Sequence, residues 1–122
     1  MAKILVIDDS KMMRLYLQRC LEKAGYEVEE WVPTSAMEVA DHITASAPDL
    51  ILCDYQMPGC NGSTVARMVF KASPKTPLVI ITAFRDDEME AGLQKFGVKQ
   101  ILTKPIDPEA LLEVVKEALA AE

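Results

Sequence analysis

The chain has 122 residues, half of them hydrophobic, and a formal net charge of −6. That length suits a single domain with a sizeable core, so we treat residues 1–122 as one domain. The acidic balance argues against direct nucleic-acid binding, which needs a basic surface to neutralise phosphates. No apolar run is long enough for a membrane span and no signal-peptide pattern is present, so we expect a cytoplasmic protein without membrane insertion.

Five short apolar runs alternate with helical patterns along the chain. Strands are predicted at 3–7, 26–31, 50–53, 78–81 and 100–103. Helices are predicted at 10–24, from 35 to just before Pro48, at 61–73, at 86–96 and from 107 onward. This strict alternation predicts the α/β class, with a parallel sheet covered by helices on both faces.

The predicted helix ends carry capping residues. Ser10 and Asp107 are expected to cap the first and fifth helices. Ser35, with Glu38 three residues later, has the capping-box pattern at the start of the second helix. Gly97 is expected to end the fourth helix, directly after Phe96.

Several polar side chains have an ordinary structural explanation. The only histidine, His42, falls on the second predicted helix, where we expect a surface residue. No histidine metal site or Ser-His-Asp triad is therefore available. The three cysteines form no C-x-x-C pair and are expected to be reduced thiols: Cys20, Cys53 and Cys60. The basic residues of the first helix are expected to lie on a solvated face: Lys11, Arg14, Arg19 and Lys23.

Four of the five predicted strands end on residues suited to phosphate or metal chemistry. The first strand is followed by Asp8 and Asp9, the third by Asp54, the fourth by Thr82 and the fifth by Lys104. Parallel strands place their carboxyl ends at one edge of the sheet, which is where such sheets bind ligands. These five side chains are therefore expected to gather at that edge.

The acidic residues at this edge indicate a magnesium site. Asp8 and Asp9 are adjacent, and two acids in one turn repel each other unless a cation binds. Hard oxygen ligands suit Mg²⁺, which binds through few carboxylates together with phosphate oxygens. A single acid here would more simply be a helix cap. The pair, facing Asp54 from another strand, favours the metal.

Asp54 could be a third metal ligand, a nucleophile, or both. A carboxylate can attack a phosphoryl group to form an aspartyl-phosphate. Such a transfer depends mainly on positioning and charge neutralisation. Lys104 could supply positive charge, and Thr82 could hydrogen-bond a phosphoryl oxygen. Taken alone, Thr82 would be an ordinary strand-end residue and Lys104 an ordinary surface lysine.

In this order and spacing, these residues resemble the receiver domain of two-component response regulators. The resemblance is to the stand-alone form typified by small chemotaxis regulators, and it covers nearly the whole chain. Its motifs are Asp8-Asp9, Asp54 followed by Met57-Pro58 and Gly62, Thr82-Ala83, and Lys104-Pro105. Whether the protein stands alone or is part of a longer one stays open.

The resemblance implies a flavodoxin-like, doubly wound sheet of five parallel strands, in the order 2-1-3-4-5, with five helices. It implies phosphorylation of Asp54 by a histidine kinase or phosphotransfer protein. Mg²⁺ would be held by Asp9, Asp54 and the backbone carbonyl of Gln56, with Asp8 helping through water. Thr82 would be the switch hydroxyl, and Lys104 would contact the phosphoryl group.

The resemblance also implies an output through protein contacts. The contact face would be formed by the fourth helix, the fifth strand and the fifth helix. Ile101 departs from the family pattern, because a tyrosine or phenylalanine often stands three residues before the lysine. The coupling from Thr82 to the outer surface therefore cannot use an aromatic side chain at that position.

Two other functions fit parts of the pattern. The first is a Mg²⁺-dependent phosphatase with Asp54 as nucleophile and an aspartyl-phosphate intermediate. The chain lacks a D-x-D signature, and turnover of a small phosphate ester would be needed to favour an enzyme. The second is a flavin-binding module of the same fold, against which the acidic edge argues. We therefore expect a signalling phosphoacceptor that assists its own phosphorylation and dephosphorylation, and not an enzyme acting on a separate metabolite.

Overall fold

A computed structural model of the protein describes residues 2–120. Its strands are β1 Lys3–Ile7, β2 Glu27–Trp31, β3 Leu50–Asp54, β4 Leu78–Thr82 and β5 Gln100–Thr103. Its helices are α1 Lys11–Lys23, α2 Val39–Ser46, α3 Gly62–Ala72, α4 Asp87–Gln94 and α5 Pro108–Ala120, and a single 3₁₀ turn, Ala36–Glu38, precedes α2. Within residues 2–120, no helix is long and apolar enough to cross a membrane.

The five strands form one parallel sheet in the order β2-β1-β3-β4-β5. This confirms the predicted α/β class and the flavodoxin-like strand order. Strands β3 and β4 are buried along their whole length, and β1 is buried after its first residue. Burial on both faces explains why these strands are almost continuously apolar, whereas the edge strand β2 is mixed.

The helices divide between the two faces of the sheet. Helices α1 and α5 bury their apolar sides on one face, through Leu17, Leu21, Leu111 and Val115. Helices α2, α3 and α4 cover the other face, and the contributing side chains are Val39, Ile43, Val65, Ala66, Val69 and Leu93. Each helix therefore buries one apolar side against the sheet, as expected for an amphipathic helix.

Three predicted helix starts can be compared with the structure. The Ser10 hydroxyl accepts a hydrogen bond from the Met13 N–H at 3.2 Å, and Asp107 accepts one from the Ala110 N–H at 3.1 Å, so both predicted caps are confirmed. The capping box at Ser35 is wrong, because the Ser35 side chain makes no capping bond. The Glu38 carboxylate instead accepts from the N–H and hydroxyl of Thr34, one residue earlier, and the chain forms a 3₁₀ turn there.

Helix α4 ends at Gln94, two residues earlier than predicted. The Phe96 N–H bonds to the Leu93 carbonyl at 3.0 Å, so the last turn tightens. Gly97 then takes a positive φ of 79°, which a residue with a Cβ rarely adopts. Phe96 nevertheless packs against the part of the core that α2, α3 and α4 cover.

His42 is not a free surface residue, which corrects the sequence-based expectation. Its side chain is only 27% exposed, and its ring stacks on Trp31 with a centroid separation of 3.9 Å and an interplanar angle of 3°. Its Nε2 lies 2.8 Å from Glu29 Oε2. The edge strand β2 is thus attached to α2 by an aromatic stack and a polar contact.

Candidate functional site at the carboxyl edge of the sheet

Three carboxylates meet at the carboxyl ends of neighbouring strands. Asp8 and Asp9 follow β1, and Asp54 is the last residue of β3, which pairs with β1. One carboxylate oxygen from each residue lies within 4.8 Å of those of the other two. Asp8 and Asp54 are buried, at 1% and 4% exposure, whereas Asp9 is exposed. The sequence prediction that these residues gather at one edge is therefore correct.

The turn after β1 is held by hydrogen bonds to both the side chain and the backbone carbonyl of Asp8. The Ser10 N–H donates to Asp8 Oδ1 at 2.8 Å. From α1, Arg14 Nη1 donates to the Asp8 carbonyl at 2.7 Å while its Nε donates to Glu30 Oε1 at 2.9 Å. The Arg14 side chain is only 17% exposed, so its assignment to a solvated basic face was wrong. It fixes the backbone that carries the two acids.

The other carboxylate oxygen of Asp8 is unsatisfied. Oδ2 is buried and has no hydrogen-bond partner in the described part of the chain. Burial raises the pKa of Asp8 above its usual value, the Ser10 N–H acts in the opposite direction, and the charges of Asp54 and Asp9 raise it further. A buried acceptor of this kind is costly unless a donor or cation satisfies it.

A divalent cation fits this cluster on three grounds. The donor set consists of hard carboxylate oxygens, which Mg²⁺ prefers. The buried oxygen of Asp8 needs a positive partner. The three oxygens are also close enough to share one ion. The acidic cluster can therefore hold a metal, as its sequence pattern predicted.

Lys104 follows the edge strand β5 and reaches the same site along the carboxyl edge of the sheet. Its Nζ lies 3.2 Å from Asp54 Oδ1, and its backbone N–H donates to the Thr82 carbonyl at 2.8 Å. Burial raises the pKa of Asp54, while the Lys104 ammonium and the Gln56 N–H act to lower it and the charge of Asp9 acts to raise it. Lys104 therefore favours the ionised form that a nucleophilic carboxylate needs. The Lys104–Pro105 peptide bond is cis.

Thr82 and Gln56 lie at the site but with orientations that the sequence did not specify. Thr82 is buried at the end of β4, and its hydroxyl donates to the Phe84 carbonyl at 2.9 Å and accepts from the Phe84 N–H at 3.2 Å. Gln56 is exposed in the turn after β3. The group of Gln56 that acts on the Asp54 carboxylate here is its backbone N–H. Metal binding by its carbonyl stays a prediction.

Gly62, one of the motif residues, has a steric role beside Asp54. Its N–H donates to the Tyr55 carbonyl at 2.7 Å. A Cβ at this position would lie 2.7 Å from Tyr55 Cα and 3.2 Å from the Asp54 carbonyl oxygen. The start of α3 can approach the residues that carry the phosphoacceptor candidate only because no side chain is present.

The fold is that of a receiver domain of two-component signalling. The sequence model described as the response regulator receiver domain matches residues 4–116, and the chain belongs to that family. Receiver domains are signalling switches, and the similarities give no support to the phosphatase alternative.

Several relatives are similar over their full length. The chemotaxis protein CheY of Thermotoga maritima is 28% identical over 94% of this chain and 95% of its own. The protein PilH of Pseudomonas aeruginosa is 32% identical over 98% of this chain and 99% of its own. The transcriptional regulator NtrC of Klebsiella pneumoniae is 30% identical, but the match covers 94% of this chain and only 24% of NtrC.

Solved structures agree with the architecture. The chemotaxis protein CheY4 of Vibrio cholerae has a TM-score of 0.85 at 29% identity, covering 97% of this chain and 98% of its own. A CheY-like receiver domain protein of Methanospirillum hungatei has a TM-score of 0.89 at 27% identity, covering 99% and 95%. The flavodoxin-like fold that the resemblance implied is therefore confirmed by CheY-like solved structures.

Proposed function

We propose that Asp54 accepts a phosphoryl group from the phosphohistidine of a histidine kinase or phosphotransfer protein. The observation that carries the proposal is the placement of Asp54, nearly buried, between two acids on one side and Lys104 on the other. A carboxylate oxygen of Asp54 attacks phosphorus and the N–P bond of the donor breaks. The imidazole leaves with the bonding electron pair.

The residues around Asp54 serve chiefly to position and neutralise charge. Lys104 has its ammonium 3.2 Å from the attacking carboxylate, where it can also bind an oxygen of the incoming group. Asp8 and Asp9, with Asp54 and the carbonyl of Gln56, would hold Mg²⁺. When bound, that ion neutralises phosphoryl oxygens that the nearby carboxylates would otherwise repel. The Thr82 hydroxyl would donate a hydrogen bond to a phosphoryl oxygen.

Asp54 ends β3 at the carboxyl edge of the sheet, so the donor would approach from that edge. Large apolar side chains are exposed on the segments at that edge: Met12 at 82%, Met37 at 88% and Phe84 at 69%. Exposed methionines suit an adaptable protein contact. For the output we propose the face of α4, β5 and α5, where the edge strand β5 is only partly buried.

Intact mass after incubation with acetyl phosphate and Mg²⁺ tests the proposal. We expect the mass of one phosphoryl group, which hydroxylamine removes because an acyl phosphate is labile to it. Asp54→Asn should stay unmodified. The matched control is Asp41→Asn, an exposed acid on α2, which should be modified like wild type. Phosphoryl mass retained in Asp54→Asn, or found on Ser63 or Thr64, would contradict the assignment.

Thermal unfolding tests the metal ligands separately. Mg²⁺ that binds only the folded protein must raise its unfolding midpoint by mass action. We expect such a rise in wild type and Asp41→Ala, and its loss in Asp9→Ala. An unchanged midpoint in wild type, or the same rise in Asp9→Ala, would exclude this ligand set.

A further inference from the structure

The hydroxyl of Thr82 is already committed to a backbone partner. It donates to the Phe84 carbonyl at 2.9 Å and accepts from the Phe84 N–H at 3.2 Å. A hydroxyl has one proton, so it can donate to Phe84 or to a phosphoryl oxygen but not to both. Any interaction that keeps Phe84 in place therefore opposes a contact between Thr82 and the phosphoryl group.

The next residue, Arg85, anchors this segment at two points. Its Nη1 donates to the Ile101 carbonyl of β5 at 3.3 Å. Its Nη2 pairs with Glu90 Oε1 of α4 at 2.5 Å. One side chain thus ties the β4–α4 connection both to the edge strand and to the first turns of α4.

We propose that Arg85 is a positioning residue that holds Phe84 against the Thr82 hydroxyl and so restrains the response of the domain to a phosphoryl group. The inference rests on the proposed function, because it concerns how Thr82 becomes available at Asp54. When the hydroxyl proton turns to the phosphoryl group, the Phe84 carbonyl loses its hydrogen bond from that side chain. The backbone carrying Arg85 can then move, and its contacts with β5 and α4 change together.

This arrangement suits the residue found at position 101. The contact from Arg85 is to the main-chain carbonyl of Ile101, so it requires no particular side chain there. The isoleucine itself is partly buried against the part of the core that α2, α3 and α4 cover. A link from the β4–α4 connection to β5 is thus present even though no aromatic ring stands on that strand.

An ordinary surface ion pair is the simpler alternative, since the Arg85 side chain is 41% exposed. Such pairs add little to stability by themselves. The two interpretations differ in what they predict for ligand binding. If Arg85 holds Phe84 against Thr82, it weakens binding of a phosphoryl mimic, because that ligand competes for the Thr82 hydroxyl. An ordinary surface ion pair has no effect on that binding.

Calorimetric titration with beryllofluoride, a tetrahedral phosphoryl mimic, at saturating Mg²⁺ distinguishes them. We expect Arg85→Gln and Glu90→Gln each to bind the mimic about two- to fivefold more tightly than wild type, the scale of one exposed ion pair. Affinity for Mg²⁺ alone should not change. Arg67→Gln, which removes an exposed arginine from α3, is the charge-matched control and should behave as wild type.

A second background makes the test specific to Thr82. In Thr82→Ala the competing hydroxyl is gone, so adding Arg85→Gln should leave the affinity for the mimic unchanged. Equal or weaker binding by Arg85→Gln in the wild-type background would overturn the inference. An equal gain in both backgrounds would overturn it too. If wild type itself fails to bind the mimic with Mg²⁺, the proposed function fails first, and this inference with it.

Discussion

Lys104 Nζ lies 3.2 Å from Asp54 Oδ1, although β5 and β3 are separated by β4. The Asp54 side chain is only 5% exposed, and among residues 2–120 this ammonium is the only cation that forms a salt bridge with it. The pair connects the two ends of the site. The acids after β1 lie on one side of Asp54, and the cation after β5 lies on the other.

Removing this cation should slow phosphorylation. In Lys104→Met the Asp54 carboxylate remains buried beside two acids, its pKa rises further, and no ammonium neutralises the incoming phosphoryl oxygens. We expect the rate of modification by acetyl phosphate to fall by at least about tenfold, because losing one preorganised charge-stabilising donor costs about 10²–10³ in rate in other enzymes. Lys99→Met removes an exposed lysine before β5 and should leave the rate unchanged. Equal rates in the two variants would rule out this role.

Asp8 should destabilise the metal-free protein at neutral pH. Its pKa is raised above 3.8, chiefly by burial, so the folded protein binds the proton more tightly than the unfolded chain. The penalty is present above the folded pKa and vanishes as pH falls below 3.8. With a chelator at neutral pH, Asp8→Asn should raise the unfolding midpoint by about 2–5 °C, as roughly 1 kcal/mol does in a domain of this size.

The rise in unfolding midpoint caused by Asp8→Asn should become smaller as the pH falls. It should turn into a decrease when Mg²⁺ is added, because the ion then stabilises wild type through its carboxylates. Asp41→Asn controls for the change in net charge. If Asp8→Asn has a lower unfolding midpoint than wild type at neutral pH with chelator, the buried Asp8 carboxylate does not destabilise the metal-free protein.

Glu29 should have the opposite pH dependence. Burial acts to raise the pKa of Glu29, but hydrogen bonds from Ser46, Lys3 and His42 outweigh it and hold the pKa below 4.5. Its stabilising contribution is therefore complete above pH 4.5 and is lost as pH falls through the folded value. At neutral pH, Glu29→Gln should cost about 1 kcal/mol, since the group is partly exposed.

Chemical unfolding of Glu29→Gln and wild type across a pH series checks this. The difference in unfolding free energy should narrow as pH falls below 4.5. Glu27→Gln, at an exposed position on the same strand, changes the net charge equally and should cost little at any pH. A constant difference between Glu29→Gln and wild type would mean that ionisation of Glu29 is not what stabilises β2.

The sheet and the acidic edge could be predicted from the sequence because both depend on chain order. Strand ends in a parallel sheet meet at one edge whatever the details of packing, so Asp8, Asp9 and Asp54 had to converge. The side-chain contacts within that frame depend on packing between elements. Arg14 looks like any surface arginine in a helical pattern, and only the approach of β2 and the β1–α1 turn shows its role.

It was equally hard to predict from the sequence which of two neighbouring groups a side chain would bond to. Thr34 and Ser35 are adjacent hydroxyl residues, and Glu38 reaches the first of them although the spacing pattern favours the second. The Thr82 hydroxyl bonds to the backbone two residues ahead, a short-range option open to any threonine. The stack of His42 on Trp31 forms only because α2 packs beside the end of β2.

Gly62 should be intolerant of even the smallest side chain. A Cβ there would lie 2.7 Å from Tyr55 Cα, and backbone atoms cannot move aside as a flexible side-chain end could. Gly62→Ala must therefore shift either the start of α3 or the end of β3, where Asp54 is located. We expect a loss of about 1–3 kcal/mol in unfolding free energy, typical of an overpacked site, together with slower modification of Asp54.

Gly92→Ala is the matched control for this substitution. Gly92 lies within α4, and a Cβ there would meet nothing within 4 Å. Alanine is favoured over glycine inside a helix, so Gly92→Ala should stabilise the protein by about 0.5–1 kcal/mol without changing the modification rate. Chemical unfolding and the acetyl phosphate reaction measure both effects. If Gly62→Ala behaves like Gly92→Ala in both assays, the close approach of α3 to β3 does not position Asp54.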